Sequence, residues 1–318
     1  MRVVLVAADQ ALRDSMTAML ETRGHEVAGF AEANDALDHL DSHVEANAFL
    51  IANISEPHNG AEICWEARLL ASFERPIYIC LVTRPLSSID FIEALDCGAD
   101  DVLQLPLSSD ELYARLRAAE RFNQMQNKLV EMATRDSLSG LFNRPAFFNR
   151  AARAVEDSEA PLAAIMADID HFKSINDKYG HAAGDITLRA VADCLKSQDG
   201  IAARLGGEEF AILLTDGDPE KAWRAAEALR RLIATQEIEI PEGAVRVTCS
   251  FGVAVGEKGE NIDQILRKAD AALYAAKRSG RNVVAAHDPA SKAMPERPSS
   301  VVRGASAPVG GMRRKIAG

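Results

Sequence analysis

The stretch Arg204-Leu-Gly-Gly-Glu-Glu-Phe210 lies between two apolar runs, Ile201 to Leu205 and Phe210 to Leu214. Two strands joined by a tight Gly-Gly turn is the reading this pattern supports. Gly206 and Gly207 let the chain reverse and let a ligand come close to the backbone. Glu208 and Glu209 follow at once. Paired acids at a hairpin tip are either a solvated turn or a metal site, and taken alone the stretch favours the solvated turn.

Toward the N-terminus, Leu162-Ala-Ala-Ile-Met-Ala-Asp-Ile-Asp170 reads as a buried strand ending in two carboxylates. His171-Phe-Lys-Ser-Ile-Asn-Asp-Lys-Tyr-Gly180 then reads as a short helix, and His181-Ala-Ala-Gly-Asp185 opens another. The pattern D-I-D-x-F-K-x-I-N-D-x-Y-G-H-x-x-G-D, followed by G-G-E-E-F, resembles the GGDEF diguanylate cyclases over roughly Asp136 to Ala286. Asp136-Ser-Leu-Ser-Gly-Leu-Phe-Asn-Arg144 resembles the family's D-x-L-T-x-L-x-N-R opening. Ser139 replaces Thr there, and either hydroxyl serves a turn or cap. For Asp136 and Arg144, pinning the linker is favoured over touching nucleotide.

Beyond the hairpin, a helix runs from Pro219 to about Thr235. A strand region from Val245 to Val255 is expected to bend near Gly252. A helix from Ile262 to Arg278 and a strand from Asn282 to Ala286 close the domain. The pattern alone gives α+β; the resemblance implies a nucleotide-cyclase or palm-like fold over 141–287.

The resemblance also implies an activity. Two GTP are joined into cyclic di-GMP with release of two pyrophosphates, by a symmetric homodimer using Mg²⁺, with Mn²⁺ as a substitute. Asp168, the Ile169 carbonyl and Glu208 are assigned as metal ligands, oxygen donors that suit a hard cation. Glu208 would help remove the 3′-hydroxyl proton, with Glu209 as second choice for ligand or base. Asp170, past the strand end, is expected to cap the next helix. The helix start at His171 to Lys173 offers free N–H groups and a favourable dipole to the triphosphate. Phe172 packs beneath that turn, and Lys173 reaches phosphate. Matched to the family, Asn176 and Asp185 read guanine. His181 either touches nucleotide or bonds to backbone. Lys277 and Arg281 contact the β- and γ-phosphates, while Arg278 stays a surface charge. The family's product-inhibition motif is R-x-x-D, and here Ser197 and Gly200 stand at its ends. No feedback at that site is expected; Arg204 is a separate element.

Residues 1–120 alternate strand and helix patterns, the sign of a parallel sheet covered on both faces. They resemble the flavodoxin-like receiver domain of response regulators. Receivers hold Mg²⁺ with paired acids after the first strand and take phosphate on an Asp ending the third. Here Ala7 and Ala8 stand at the acid positions, with Asp9 just beyond. Asn53 stands at the phosphoacceptor position and Leu105, before Pro106, at that of the usual Lys; Thr83 is retained. The expectation is a pseudo-receiver that takes no phosphate and serves a protein partner or dimerisation. Its last helix, with Ser109 as possible cap, carries Leu116, Phe122, Met125, Leu129 and Met132 on one stripe. The stretch 121–140 is therefore a linker helix that either forms a two-stranded coiled coil or packs on its own domains.

Composition sets the outer bounds. A net charge of −11 over 318 residues argues against nucleic-acid binding through a basic surface. Five scattered cysteines lack zinc spacing and read as small buried apolar groups in a reducing compartment. Met1 to Ala7 runs into Asp9 too soon for a signal peptide, and no apolar run approaches ~20 residues, so a cytoplasmic protein off the membrane is expected. After Asp288, Pro, Gly, Ser and Arg dominate a tail, 288–318, expected to be disordered.

Overall fold

The structure, a computed structural model, describes residues 1–52, 60–72, 74–84, 88–158 and 160–287. Asn53 and the tail from residue 288 lie outside the described residues. The chain divides into two compact units, Met1–Ser137 and Leu138–Gly318.

In the first unit, β1 (Arg2–Ala7), β2 (Glu26–Phe30), β3 (Ala48–Ala52), β4 (Tyr78–Thr83) and β5 (Asp101–Gln104) form one parallel sheet. Its order, β2-β1-β3-β4-β5, is the flavodoxin-like one. The helices are α1 (Gln10–Glu21), α2 (Ala33–Ser42), α3 (Gly60–Leu70), α4 (Ser88–Asp96) and α5 (Ser109–Thr134). Alternate strand residues serve opposite faces. Val4, Val6, Phe49 and Ile51 pack with α2, α3 and α4. Val3, Leu5, Ala48 and Leu50 pack with α1 and α5. That two-sided cover is why β3 reads as an unbroken apolar run.

At the end of β1, Ala7 is buried, and Asp9 caps α1 by accepting from the Leu12 N–H at 3.0 Å. The cap of α5 is Ser108, which accepts from the Glu111 N–H at 3.1 Å, one residue before the expected Ser109. Leu112, Leu116 and Ala119 bury the start of α5 on its sheet. Farther along, Phe122, Met125, Leu129 and Met132 are 61%, 67%, 53% and 71% exposed. Among the described residues, no helix is long and apolar enough to cross a membrane.

The second unit begins with α6 (Arg144–Asp157), capped by Asn143. Then follow β6 (Ala163–Ile169), α7 (Phe172–Leu195), β7 (Ile201–Gly206), β8 (Glu209–Leu214) and α8 (Pro219–Thr235). A small ladder of β9 (Ile238–Ile240) and β10 (Gly243–Val245), then β11 (Cys249–Val255), α9 (Ile262–Arg278) and β12 (Val284–Ala286), complete it. The main sheet has the order β12-β11-β6-β8-β7. It is antiparallel except where β12 joins β11, so the unit is α+β. One face carries α7 and α8, the other α6 and α9.

One local expectation holds and one changes. Gly180 (φ 80°, ψ 166°) interrupts α7 at a kink, so two helical stretches meet there, as the sequence suggests. Gly252 marks no bend. It lies in the regular pairing of β11 with β6, and a Cβ there would meet the Leu273 nitrogen at 2.1 Å. The glycine is required because α9 lies directly on the strand. All five cysteines are free thiols, and Cys64, Cys80, Cys194 and Cys249 are buried.

Candidate active site

The central strand β6 ends between two neighbours. In register, Asp168 stands opposite Glu209 of β8 and Ser250 of β11. The hairpin turn closes over the strand end, where the Ile169 N–H donates to the Glu208 carbonyl at 3.4 Å. Residues forty positions apart are thereby neighbours. The turn has its own clamp: the Arg204 guanidinium donates twice to the Gly207 carbonyl, at 3.0 and 2.8 Å. Gly207 takes φ 51°, which a glycine adopts without strain.

Asp168 is buried. Its Oδ2 lies 2.5 Å from the Lys277 Nζ, brought in by the last turn of α9. Burial pushes the Asp168 carboxyl up to about 6, against the pull of Lys277, and the carboxylates of Glu208 and Glu209 add to the rise. Glu208 and Glu209 are both half-buried. A cation is thus already seated where three acids gather.

Past β6, His171 takes φ 56° and starts α7 with no side-chain cap. Asp170 does not cap the helix, contrary to expectation. Its Oδ1 accepts from Ser250 Oγ at 2.6 Å, and its Oδ2 accepts from Thr248 Oγ1 at 2.7 Å and from the Asn282 N–H at 3.0 Å. Those donors lie far along the chain, so no local pattern announced them. Phe172 is buried under the turn as expected, while Lys173 and His181 are exposed.

Across the break at Gly180, Asn176 is brought against Gly184, the neighbour of Asp185 in sequence. A Cβ on Gly184, next to Asp185, would meet Asn176 Oδ1 at 1.9 Å. The Asn176 amide therefore lies on the bare backbone of Gly184. Arg281 is exposed, with φ 66°, just past α9. Arg144 starts α6 with its guanidinium 5.7 Å from the Phe148 ring, a packing role. Ser197 is tied to the Cys194 carbonyl at 2.6 Å.

Residues 133–283 match the family described as Diguanylate cyclase, GGDEF domain. The coiled coil and GGDEF domain of DgcB from Caulobacter crescentus, solved in complex with c-di-GMP, shares 33% identity. It aligns over 55% of this chain and 98% of that one, with a TM-score of 0.50. The chain belongs to the GGDEF family. Among curated relatives of this GGDEF protein, the probable diguanylate cyclase DgcT of Escherichia coli is 40% identical over 49% of the chain. The response regulator PleD of Caulobacter vibrioides is 34% identical over 61% of it. The chain spans 36% and 46% of the lengths of those two relatives.

The donors at the strand end suit a divalent cation of the Mg²⁺ kind. The carboxylates of Asp168 and Glu208 and the Ile169 carbonyl would supply hard oxygen ligands, and the Lys277 ammonium already pairs with Asp168. Among the described residues, no group of three His, Cys, Asp or Glu side chains is arranged to hold a metal ion.

Proposed function

We propose that this GGDEF protein is a diguanylate cyclase that condenses two GTP into cyclic di-GMP in the cytoplasm, as a homodimer with Mg²⁺ or Mn²⁺. The observation that carries this reading is the convergence of Asp168 and Glu208 at one strand end, beside Lys277. The relatives, two of them carrying diguanylate cyclase or GGDEF in their names, support the same activity.

Each protomer binds one GTP. Asn176 and Asp185 accept from the guanine N1–H and N2–H₂, a donor pair that adenine lacks. Backbone N–H groups at the start of α7 and the cations Lys173, Lys277 and Arg281 hold the triphosphate. When bound by Asp168, Glu208 and the Ile169 carbonyl, the metal neutralises phosphate charge and acidifies the attacking hydroxyl. Glu208, or Glu209 beside it, takes the 3′-hydroxyl proton. The 3′-oxygen forms its bond to the α-phosphorus of the opposite GTP while the bond to the β-phosphate oxygen breaks and pyrophosphate leaves. The same step in the other half-site closes the ring. The protein's part is charge and alignment, which phosphoryl chemistry chiefly needs.

The N-terminal unit serves as a pseudo-receiver. Ala7 and Ala8 offer no metal ligands, and Asp9 is engaged as a helix cap. Its role is to receive a protein partner or to join protomers. The stripe of α5 pairs with a second copy as a coiled coil. Its positions 122, 125, 129 and 132 step by three, four and three, the a/d spacing of a two-stranded seam. Feedback at the primary product site is absent, because Gly200 (φ 131°) has the Leu213 carbonyl 2.5 Å from where a Cβ would stand. An aspartate does not fit there.

Purified protein incubated with Mg²⁺ and GTP, with products resolved by chromatography, tests the proposal. A cyclic dinucleotide is expected, with none from ATP. Bound but unchanged GTP would instead mark a silent nucleotide-binding regulator.

A further inference from the structure

The turn after α9 is strained in an unusual way. Gly280, Arg281 and Asn282 take φ of 110°, 66° and 48° in succession. Left-handed backbone suits glycine, but costs Arg and Asn free energy that the surroundings must offset. The surroundings do so from three sides. Asp170, buried at the end of β6, accepts from the Asn282 N–H at 3.0 Å. Thr248 and Ser250 hold the same carboxylate in place from the β11 side, at 2.7 and 2.6 Å. From α8, Arg230 Nη1 donates to Asn282 Oδ1 at 2.9 Å, and Arg230 is itself held by Glu227 at 2.7 and 2.8 Å. The Arg281 N–H donates back to the Ala276 carbonyl at 3.2 Å, closing the turn.

A buried carboxylate with three donors is a rigid anchor. Here it anchors the one backbone segment that presents Arg281. Asp168, two residues earlier on the same strand end, holds Lys277 from the same helix. Two of the three proposed phosphate cations, Lys277 and Arg281, are thus referenced to β6. We infer that Asp170 is a positioning residue for substrate binding, which holds the strained Gly280–Asn282 turn so that Arg281 faces the GTP triphosphate. The inference rests on the diguanylate cyclase reading for what Arg281 grips; the latch between Asp170 and Asn282 stands without it.

The test compares wild type, Asp170→Asn, Arg281→Ala and the double variant, titrated with 3′-deoxy-GTP and 3′-deoxy-GMP. Both nucleotides lack the attacking hydroxyl, so binding is read without turnover. Asp170→Asn should weaken triphosphate binding about tenfold, the scale of a lost charge-assisted hydrogen bond, and leave monophosphate binding unchanged. In the Arg281→Ala background it should add nothing. Equal losses for both nucleotides, or an undiminished effect without Arg281, would overturn the inference. If Asp170→Asn does not fold, Arg230→Met, which cuts the tie from α8, should show the same pattern with a smaller loss. Amide hydrogen exchange at Asn282 reads the latch itself. It should be slow in wild type and fast in Asp170→Asn. Fast exchange in wild type would refute the latch, whereas a protected Asn282 amide with no triphosphate binding would refute the substrate assignment.

Discussion

Lys277 and Asp168 meet as an ion pair at 2.5 Å, although they stand 109 positions apart in the chain. The carboxylate is buried, and it belongs to the proposed metal site. On that proposal, a metal and the Lys277 ammonium would compete for Asp168, and a loaded site would free Lys277 for the phosphates. Lys277→Met should act in two directions. The metal-free chain should lose ~3 kcal/mol, because a buried carboxylate is left without its partner. Mn²⁺ binding in the absence of nucleotide should tighten several-fold, since the competitor is gone. Thermal melts and Mn²⁺ titration followed by electron paramagnetic resonance read the two effects. Unchanged Mn²⁺ affinity would show that the ammonium does not guard the site.

The same carboxyl gives a pH dependence with a definite sign. In the folded, metal-free chain it titrates at about 6, raised chiefly by burial. An unfolded aspartate titrates at about 3.9, so between these values the folded chain holds the extra proton. The Asp168 contribution to stability is therefore full below about pH 4 and is lost as pH rises through about 6. Mn²⁺ affinity runs the other way, rising with pH until the proton no longer competes. Melts and Mn²⁺ titrations from pH 4 to 8 should show both trends, and Asp168→Asn should flatten them.

Much of this was legible along the chain, and the reason is locality. The Gly-Gly turn, the apolar run of β6, and α8 and α9 depend on neighbours in sequence, and each lies where its pattern put it. The acids of the hairpin were singled out by the family resemblance, because the stretch taken alone favours a solvated turn. What escaped is pairing across distance. Asp170 sits beside a helix start and invites a local cap, yet its partners are 78, 80 and 112 residues away. Gly252 reads as a bend because a glycine in a strand usually signals one; the cause was a helix packed against it. Lys277 was legible as a cation at a helix end, but not as the occupant of Asp168.

Gly184 offers a test of the guanine site that separates recognition from folding. A methyl group there would strike Asn176 Oδ1, the end of a side chain that can swing away, and crowd the Phe172 ring at 3.2 Å, meeting no backbone. Gly184→Ala should therefore fold, with Asn176 displaced from the base. KM for GTP should rise about tenfold, as when one good hydrogen bond is lost, with the melting temperature little changed. Gly252→Ala is the control, because there the clash is with the backbone of α9 and the fold itself should be damaged. If Gly184→Ala keeps full discrimination between GTP and ITP, which lacks the 2-amino group, Asn176 has no part in reading the base.

In the proposed dimer, the α5 stripe would bring the two half-sites together. Phe122, Met125, Leu129 and Met132 are each more than half exposed and stand at the a/d spacing of a two-stranded seam. A charge in the middle of a two-stranded seam would be buried unpaired and would part the strands. Leu129→Glu should convert a dimer to a monomer at micromolar concentration, seen by analytical ultracentrifugation. Turnover per chain should fall by more than tenfold and should recover as protein concentration is raised, because the half-sites themselves are intact. A Leu129→Glu variant that stays dimeric and fully active would place the dimer contact elsewhere, and the stripe would then need another partner.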